Sequence, residues 1–295
     1  MNFNEYVLLN DLADIKEDEL FKNLTTIGCG GKIEYTYYPK DIESLSKAFS
    51  FINKNNIKYF ILGNGSNVLA CDYNFIGVVI VVKKLSFNYK IENDLCIVSA
   101  FYPTTRLAYD LARENKGDLS FLGGIPGLVG GAIYNNSGAY NDNIGNHIKY
   151  VKYIDTDGKI VQISKTMCAF GYRSSIFHYI NGIVIEAGIN VIDIKTTTKL
   201  EKNKKDKMQA QPIESKSMGS VFKNNPLVPA WKIVDALHLR GFQIGDAAIS
   251  SKHSNFIINL GNAKSSDILS LVELIQTRAR LEFGINLYKE ITIVE

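Results

Sequence analysis

Residues 60–69, FILGNGSNVL, set Phe60, Ile61 and Leu62 directly before Gly63, Asn64, Gly65, Ser66 and Asn67. The pattern is a buried strand running into a loop with free backbone and short polar side chains. Glycine permits left-handed conformations and close approach, and successive exposed N–H groups form a concavity suited to an anion. Phosphate binding is therefore the chemistry to expect of GNGSN. The dinucleotide fingerprint GxGxxG fits poorly: Gly63 and Gly65 supply its first half, but the third position is Val68. The following CDYNFIG (71–77) brings a turn where a helix should begin, and no GK[ST] is present to make a Walker loop.

A second glycine-rich stretch, FLGGIPGLVGGAIYNNSGAY (121–140), interleaves its glycines with Ile125, Leu128, Val129 and Ile133. A flexible linker would not carry those apolar residues. The glycines either let backbone press against something flat or charged, or form tight turns in a buried connection.

These loops need elements to hold them. Residues 41–54 read as a helix leading into the strand KYFIL, and GVVIVV (77–82) and DLCIVSA (94–100) read as further strands. Between Thr104 and Lys116, Leu107, Ala108 and Leu111 share a helical face. VKYIDTDGKIVQI (151–163) predicts a hairpin turning at Asp157-Gly158, followed by the strand GIVIEAGINVI. The stretch 196–212 is almost devoid of apolar residues and reads as a solvated helix or linker. In 265–284, Ile268, Leu271, Val272, Ile275 and Ala279 line one helix face, with Ser265 or Ser266 as the N-cap and Gly284 as the stop.

The chain has 295 residues, enough for about two domains. A net charge of +3 gives no argument for nucleic-acid binding. There is no run of apolar residues long enough to span a membrane, and the acidic N-terminus does not read as a signal peptide. Cys29, Cys71, Cys96 and Cys168 are too far apart for CxxC metal or redox motifs, so small buried hydrophobes in a reducing cytoplasm are expected and no metal site.

In chain order, GNGSNVL, GGIPGLVGGAIYNNSGAY, FGYRSSIF (170–177), GSVFKN (219–224), SSKHSNFIIN (250–259) and the C-terminal GINLYKEITIV together resemble the UDP-N-acetylenolpyruvoylglucosamine reductase (MurB) family. The absence of one insertion makes the chain similar to the shorter, type II class. The resemblance implies an α+β fold: a two-part FAD-binding domain of the vanillyl-alcohol-oxidase (PCMH) type, then a smaller α/β substrate-binding domain. On that basis residues 1–20 are an N-terminal segment, 21–195 the FAD-binding domain (subdomains about 21–83 and 84–195), 196–212 a charged linker and 213–295 the substrate domain.

The resemblance further implies that Gly63, Asn64, Gly65, Ser66 and Asn67 wrap the FAD pyrophosphate. Gly124, Ile125, Gly127, Gly130 and Gly131 would line the flavin, with Asn136 and Gly138 at the far end of that loop. NADPH would supply hydride through FAD to the enolpyruvyl group of UDP-N-acetylglucosamine enolpyruvate, in peptidoglycan precursor synthesis. The residues implied to be catalytic are Arg173, for the carboxylate as it takes on enolate character, Ser220 as proton donor, and Glu290 for stabilising the same intermediate. A serine hydroxyl can serve only because its acceptor is strongly basic; without the motif, Ser220 would read as a turn or cap. Tyr140, Lys223, Asn224 and His253 are implied substrate contacts. GSVFKNNP carries a second asparagine and NNSGAY departs from the common MNAGAY, so local loop geometry is where differences are expected. Another FAD-dependent oxidase of the same fold would share the glycine loops. So would a non-catalytic nucleotide-binding protein, which would need none of the three catalytic residues. No protein partner is evident.

Overall fold

A computed structural model describes residues 2–295. The chain forms two compact units, each discontinuous in sequence. The first comprises the N-terminal residues to Glu17, Tyr35–Gly63 and Gly77–Lys205. The second comprises Asp18–Glu34, Asn64–Ile76 and Asp206–Glu295. The blocks expected from sequence are contiguous; the compact units instead join residues 18–34 and 64–76 with the C-terminal third.

Helix Ile42–Lys54 of the first unit starts where the Asp41 carboxylate accepts from the Ser44 N–H (2.8 Å). It buries Leu45, Ala48, Phe49 and Ile52, which recur at helical spacing. The strands Tyr59–Leu62 and Phe75–Val81 run parallel, with Leu62 opposite Val81. They belong to a sheet ordered Ala13–Leu20, Lys32–Pro39, Phe75–Val81, Tyr59–Leu62. A five-stranded antiparallel sheet is ordered Ile160–Ser164, Ile148–Ile154, Ile183–Asn190, Leu95–Ser99, Tyr89–Glu92. Its first two strands are the predicted hairpin, turning at Gly158 with φ +81°. Phe49, Val78, Val98, Leu107, Val151 and Ala187 share one core.

The charged stretch is a helix, Thr197–Ala210. Leu200 is fully buried and Asn203 nearly so, and within the first unit the Asn203 amide donates to the Ser120 carbonyl (3.2 Å) while Lys199 pairs with Asp118 (2.6 Å). A single leucine gives almost no amphipathic signal, which is why composition alone left open a solvated helix or a linker.

The second unit has an antiparallel sheet ordered Lys216–Ser220, Phe256–Asn259, Ala247–Ile249, Gln243–Ile244. Helix Ser265–Phe283 buries all five residues of the predicted face in a core with Met218, Val234 and Ile257. Gly284 ends it in the left-handed conformation, φ +67°. Ser265 or Ser266 is the N-cap expected from sequence, but neither serine side chain caps the helix. Asp72, far upstream, accepts from the Ser265 N–H (2.9 Å) and the Ser266 N–H (3.1 Å). Burial pushes the Asp72 carboxyl up, but these hydrogen bonds outweigh it and hold the group below its usual range. A depressed carboxylate stabilises the fold above its unfolded pKa, and that contribution is lost as pH falls through the folded value. Asp72→Ala is therefore expected to cost about 1 kcal/mol of unfolding free energy at neutral pH. The deficit should shrink as pH falls below the usual carboxylate range, read by urea melts of both proteins.

Candidate active site

The GNGSN loop links the strand Tyr59–Leu62 to the strand Val68–Ala70, so it turns between strands rather than leading into a helix. Asn64–Asn67 belong to the second unit, where Gly65 has φ +65°. A Cβ there would meet the Leu24 carbonyl oxygen at 2.5 Å and Thr25 Cα at 2.7 Å, so no other residue fits. The Gly65 carbonyl accepts from the Thr26 N–H (3.1 Å) and from its hydroxyl (3.3 Å), and that hydroxyl also donates to the Ser217 carbonyl (2.6 Å). Thr26 thus ties the loop to the strand that carries Ser220. Sequence reasoning missed it, although TTIGCGG (25–31) is itself a third glycine cluster. Gly65→Ala is expected to lower FAD content sharply and to destabilise the second unit, read by flavin absorbance per protein and by the thermal midpoint.

Ser220 ends the strand Lys216–Ser220, beyond a register shift at Gly219, φ +77°. Past it the chain pairs antiparallel with the C-terminal segment. The Glu290 N–H donates to the Val221 carbonyl (2.8 Å), the Lys223 N–H to the Tyr288 carbonyl (2.8 Å), and Phe222 faces Lys289. Asn67 braces this segment, its amide donating to the Glu290 carbonyl (3.1 Å) while its own carbonyl accepts from the Thr292 N–H (2.9 Å). The second unit therefore gathers Asn64–Asn67, Ser220, Lys223 and Glu290 on neighbouring backbone. Ser220, Lys223 and Glu290 are half-buried.

Asn255 locks the Ser220 strand from the other side and was not singled out from sequence. It is 4% exposed, and its side chain accepts from the Phe222 N–H (2.9 Å) and donates to the Phe222 carbonyl (2.8 Å). In the same turn His253 Nδ1 accepts from the Asn255 N–H (3.3 Å), which leaves its proton on Nε2. Burial, then the Arg240 guanidinium, push its pKa down, so it is a neutral donor at pH 7. Asn224 is exposed, and its side-chain oxygen accepts from the Ala230 N–H (3.1 Å) at the start of the helix Ala230–Ala236. The extra asparagine of the NNP sequence, Asn225, accepts from the Leu227 N–H (2.9 Å) and shapes that loop locally.

In the first unit the second glycine stretch is not all turns: Val129–Tyr134 is a short helix. Glycines at 130 and 131 hid it, since glycine is the poorest helix former after proline. Gly127 needs its φ of +142°. The Thr104 hydroxyl donates to the Ile125 carbonyl (2.6 Å) and the Gly127 carbonyl accepts from the Thr104 N–H (3.0 Å). A Cβ on Gly130 would crowd Ala100 at 3.2 Å, whereas one on Gly131 would meet nothing. Packing accounts for Gly130, and Gly131 leaves an open face of backbone; Gly124 and Ile125 are half-buried. Tyr140 donates to the Asn203 carbonyl (2.8 Å). Arg173 donates to the Gly138 carbonyl (3.0 Å), lies 5.2 Å from the Tyr172 ring centroid and has φ +51°. Left-handed backbone at a non-glycine residue stores about 1–2 kcal/mol of strain, and such strain concentrates at functional positions.

Residues 33–164 match an FAD binding domain, and residues 211–294 match the C-terminal domain of UDP-N-acetylenolpyruvoylglucosamine reductase. The UDP-N-acetylenolpyruvoylglucosamine reductase of Clostridium tetani is 36% identical over 290 residues, covering 95% of this chain and 92% of that protein. The chain belongs to the UDP-N-acetylenolpyruvoylglucosamine reductase family. That of Bacillus pumilus is 30% identical over 297 residues, covering 99% of this chain and 98% of that one. The crystal structure of the reductase (MurB) from Thermus caldophilus matches with a TM-score of 0.79 at 29% identity, covering 96% of this chain and 99% of that chain. The fold is accordingly the α+β flavin-binding architecture of this family, an FAD-binding domain followed by the family's C-terminal domain. Among the described residues no helix is long and apolar enough to cross a membrane.

The open backbone at Gly131 is compatible with the FAD of the reductase family. Gly65 holds a conformation closed to any side chain, and Gly131 leaves room that no protein atom fills.

Proposed function

We propose that the chain reduces UDP-N-acetylglucosamine enolpyruvate to UDP-N-acetylmuramate with NADPH as hydride donor, and that Arg173, Ser220 and Glu290 carry the chemistry. The chain is an FAD-dependent oxidoreductase of the reductase family. When bound, FAD would supply the two-electron relay between NADPH and the terminal carbon of the enolpyruvyl group. In this reading Gly63, Asn64, Gly65, Ser66 and Asn67 would hold the pyrophosphate, and Gly124, Ile125, Gly127, Gly130 and Gly131 would meet the flavin ring.

The chain's own residues manage charge and proton. As the terminal CH₂ becomes CH₃, the electron pair of the double bond moves onto the adjacent carbon and its carboxylate. Arg173 offers a planar, permanently cationic fork for those carboxylate oxygens, and it binds more strongly as their charge grows. Ser220 then donates its hydroxyl proton to the adjacent carbon and is reprotonated from solvent. The enolate is basic enough to take a proton from an alcohol, which is the match general acid catalysis requires. Glu290 assists the same intermediate from the C-terminal segment paired beside Ser220. Tyr140, Lys223, Asn224 and His253 are assigned to the sugar nucleotide, and the neutral imidazole suits hydrogen-bond donation rather than charge pairing.

The observation that supports this most directly is the pairing of residues 221–223 with 288–290, which brings the Ser220 and Glu290 backbones together. The test is NADPH oxidation by purified holoenzyme. It should require the enolpyruvyl nucleotide and release one UDP-N-acetylmuramate per NADPH; NADPH consumption independent of the nucleotide would count against the reading.

A further inference from the structure

Three side-chain hydrogen bonds sew the Gly171–Ser175 turn to the end of the second glycine stretch within the first unit. The Ser175 hydroxyl donates to the Tyr134 carbonyl (2.7 Å), Asn136 Nδ2 to the Gly171 carbonyl (2.8 Å) and Arg173 to the Gly138 carbonyl (3.0 Å). The last two are reciprocal: each segment reaches across to a carbonyl two residues from the other's reaching side chain. Gly171 and Ser174 exchange backbone bonds (3.0 and 3.3 Å), which leaves Tyr172 and Arg173 as the tip. That tip is strained at Arg173 and so depends on what grips its base.

Asn136 is the grip. Its Oδ1 accepts from the Gly145 N–H (3.0 Å), and a Cβ on Gly145 would lie 2.8 Å from that oxygen. Its own φ of +43° suits asparagine better than most residues. Both ends of the amide are bound to backbone and only 5% of the residue is exposed, so its side chain is committed to holding the turn.

We infer that Asn136 is a positioning residue that fixes the Tyr172–Arg173 tip, and with it the orientation of the Arg173 guanidinium towards the substrate carboxylate. This rests on Arg173 being the carboxylate-binding residue. Substrate binding would then depend on Asn136 through Arg173, while cofactor binding would not.

The test uses holoenzyme and two variants. Asn136→Asp keeps the acceptor for Gly145 and puts a carboxylate oxygen against the Gly171 carbonyl. Asn136→Gly removes the side chain at a φ that glycine tolerates, and serves if the buried charge prevents folding. Binding of UDP-N-acetylmuramate is compared with that of UDP-N-acetylglucosamine, which lacks the carboxylate. Both variants should keep full FAD content and wild-type flavin reduction by NADPH. They should lose most of the preference for the carboxylate-bearing nucleotide and be reoxidised by the enolpyruvyl nucleotide about 10²-fold more slowly, the scale of a displacement near 1 Å. In an Arg173→Ala background, Asn136→Asp should have no further effect on either quantity. Loss of FAD with the nucleotide preference intact would make Asn136 a cofactor ligand and overturn the inference. An undiminished effect in the Arg173→Ala background would show a merely structural role. If the wild-type protein shows no preference for the carboxylate, the assignment of Arg173 fails first, and the inference with it.

Discussion

Arg173→Lys is expected to lower kcat for the enolpyruvyl nucleotide by about 10²–10³-fold, the scale on which removal of one preorganised charge-stabilising donor acts. Lysine keeps the charge but loses the fork that engages two oxygens at once. Because the interaction strengthens as the enolate forms, kcat should fall more than substrate affinity does. Arg173→Gly separates this effect from folding. It relieves about 1 kcal/mol of left-handed strain, against a similar loss through glycine's larger unfolded-state entropy and one hydrogen bond of about 1 kcal/mol. Its unfolding midpoint should stay close to wild type while reduction of the nucleotide is abolished. Normal turnover in the Arg173→Gly variant would remove Arg173 from the mechanism.

The second large effect is at Ser220. In Ser220→Ala, NADPH should reduce the flavin at the wild-type rate, since no proton from Ser220 is used in that half-reaction. Reoxidation by the enolpyruvyl nucleotide should slow by about 10²–10⁴-fold, the range for loss of a positioned general acid. Stopped-flow absorbance resolves the two half-reactions. Equal slowing of both would mean that the residue shapes the binding site and does not donate the proton. The hydroxyl is small and its strand is held by Asn255 and by the C-terminal segment, so the substitution should leave the fold intact.

Much of this was legible in local sequence, where the determining physics is local. Helix Ser265–Phe283 follows from its apolar spacing and the glycine at its end. That GNGSN is a turn between strands follows from glycine and short polar residues after an apolar strand, and Val68, which breaks the dinucleotide fingerprint, begins the next strand. The illegible parts are held by partners distant in sequence. Asp72 caps a helix 193 residues later. Thr26 holds Gly65 across 39 residues. Asn136 and Asn255 spend their amides on backbone carbonyls and N–H groups that no spacing rule connects. The segments 18–34 and 64–76 join the C-terminal unit for the same reason: they contribute Ile27, Cys29 and Leu69 to a cluster with Met218 and Ile257. The catalytic roles proposed for Arg173, Ser220 and Glu290 have no local signal beyond motif resemblance.

The central claim is that electrons pass from NADPH through bound FAD to an enolpyruvyl sugar nucleotide. An anaerobic flavin titration tests it most directly. NADPH should bleach the oxidised flavin spectrum, and one equivalent of UDP-N-acetylglucosamine enolpyruvate should restore it with formation of UDP-N-acetylmuramate. A reduced flavin that stays bleached with the nucleotide and is reoxidised only when oxygen is admitted would contradict the account and mark the chain as an oxidase of the same fold.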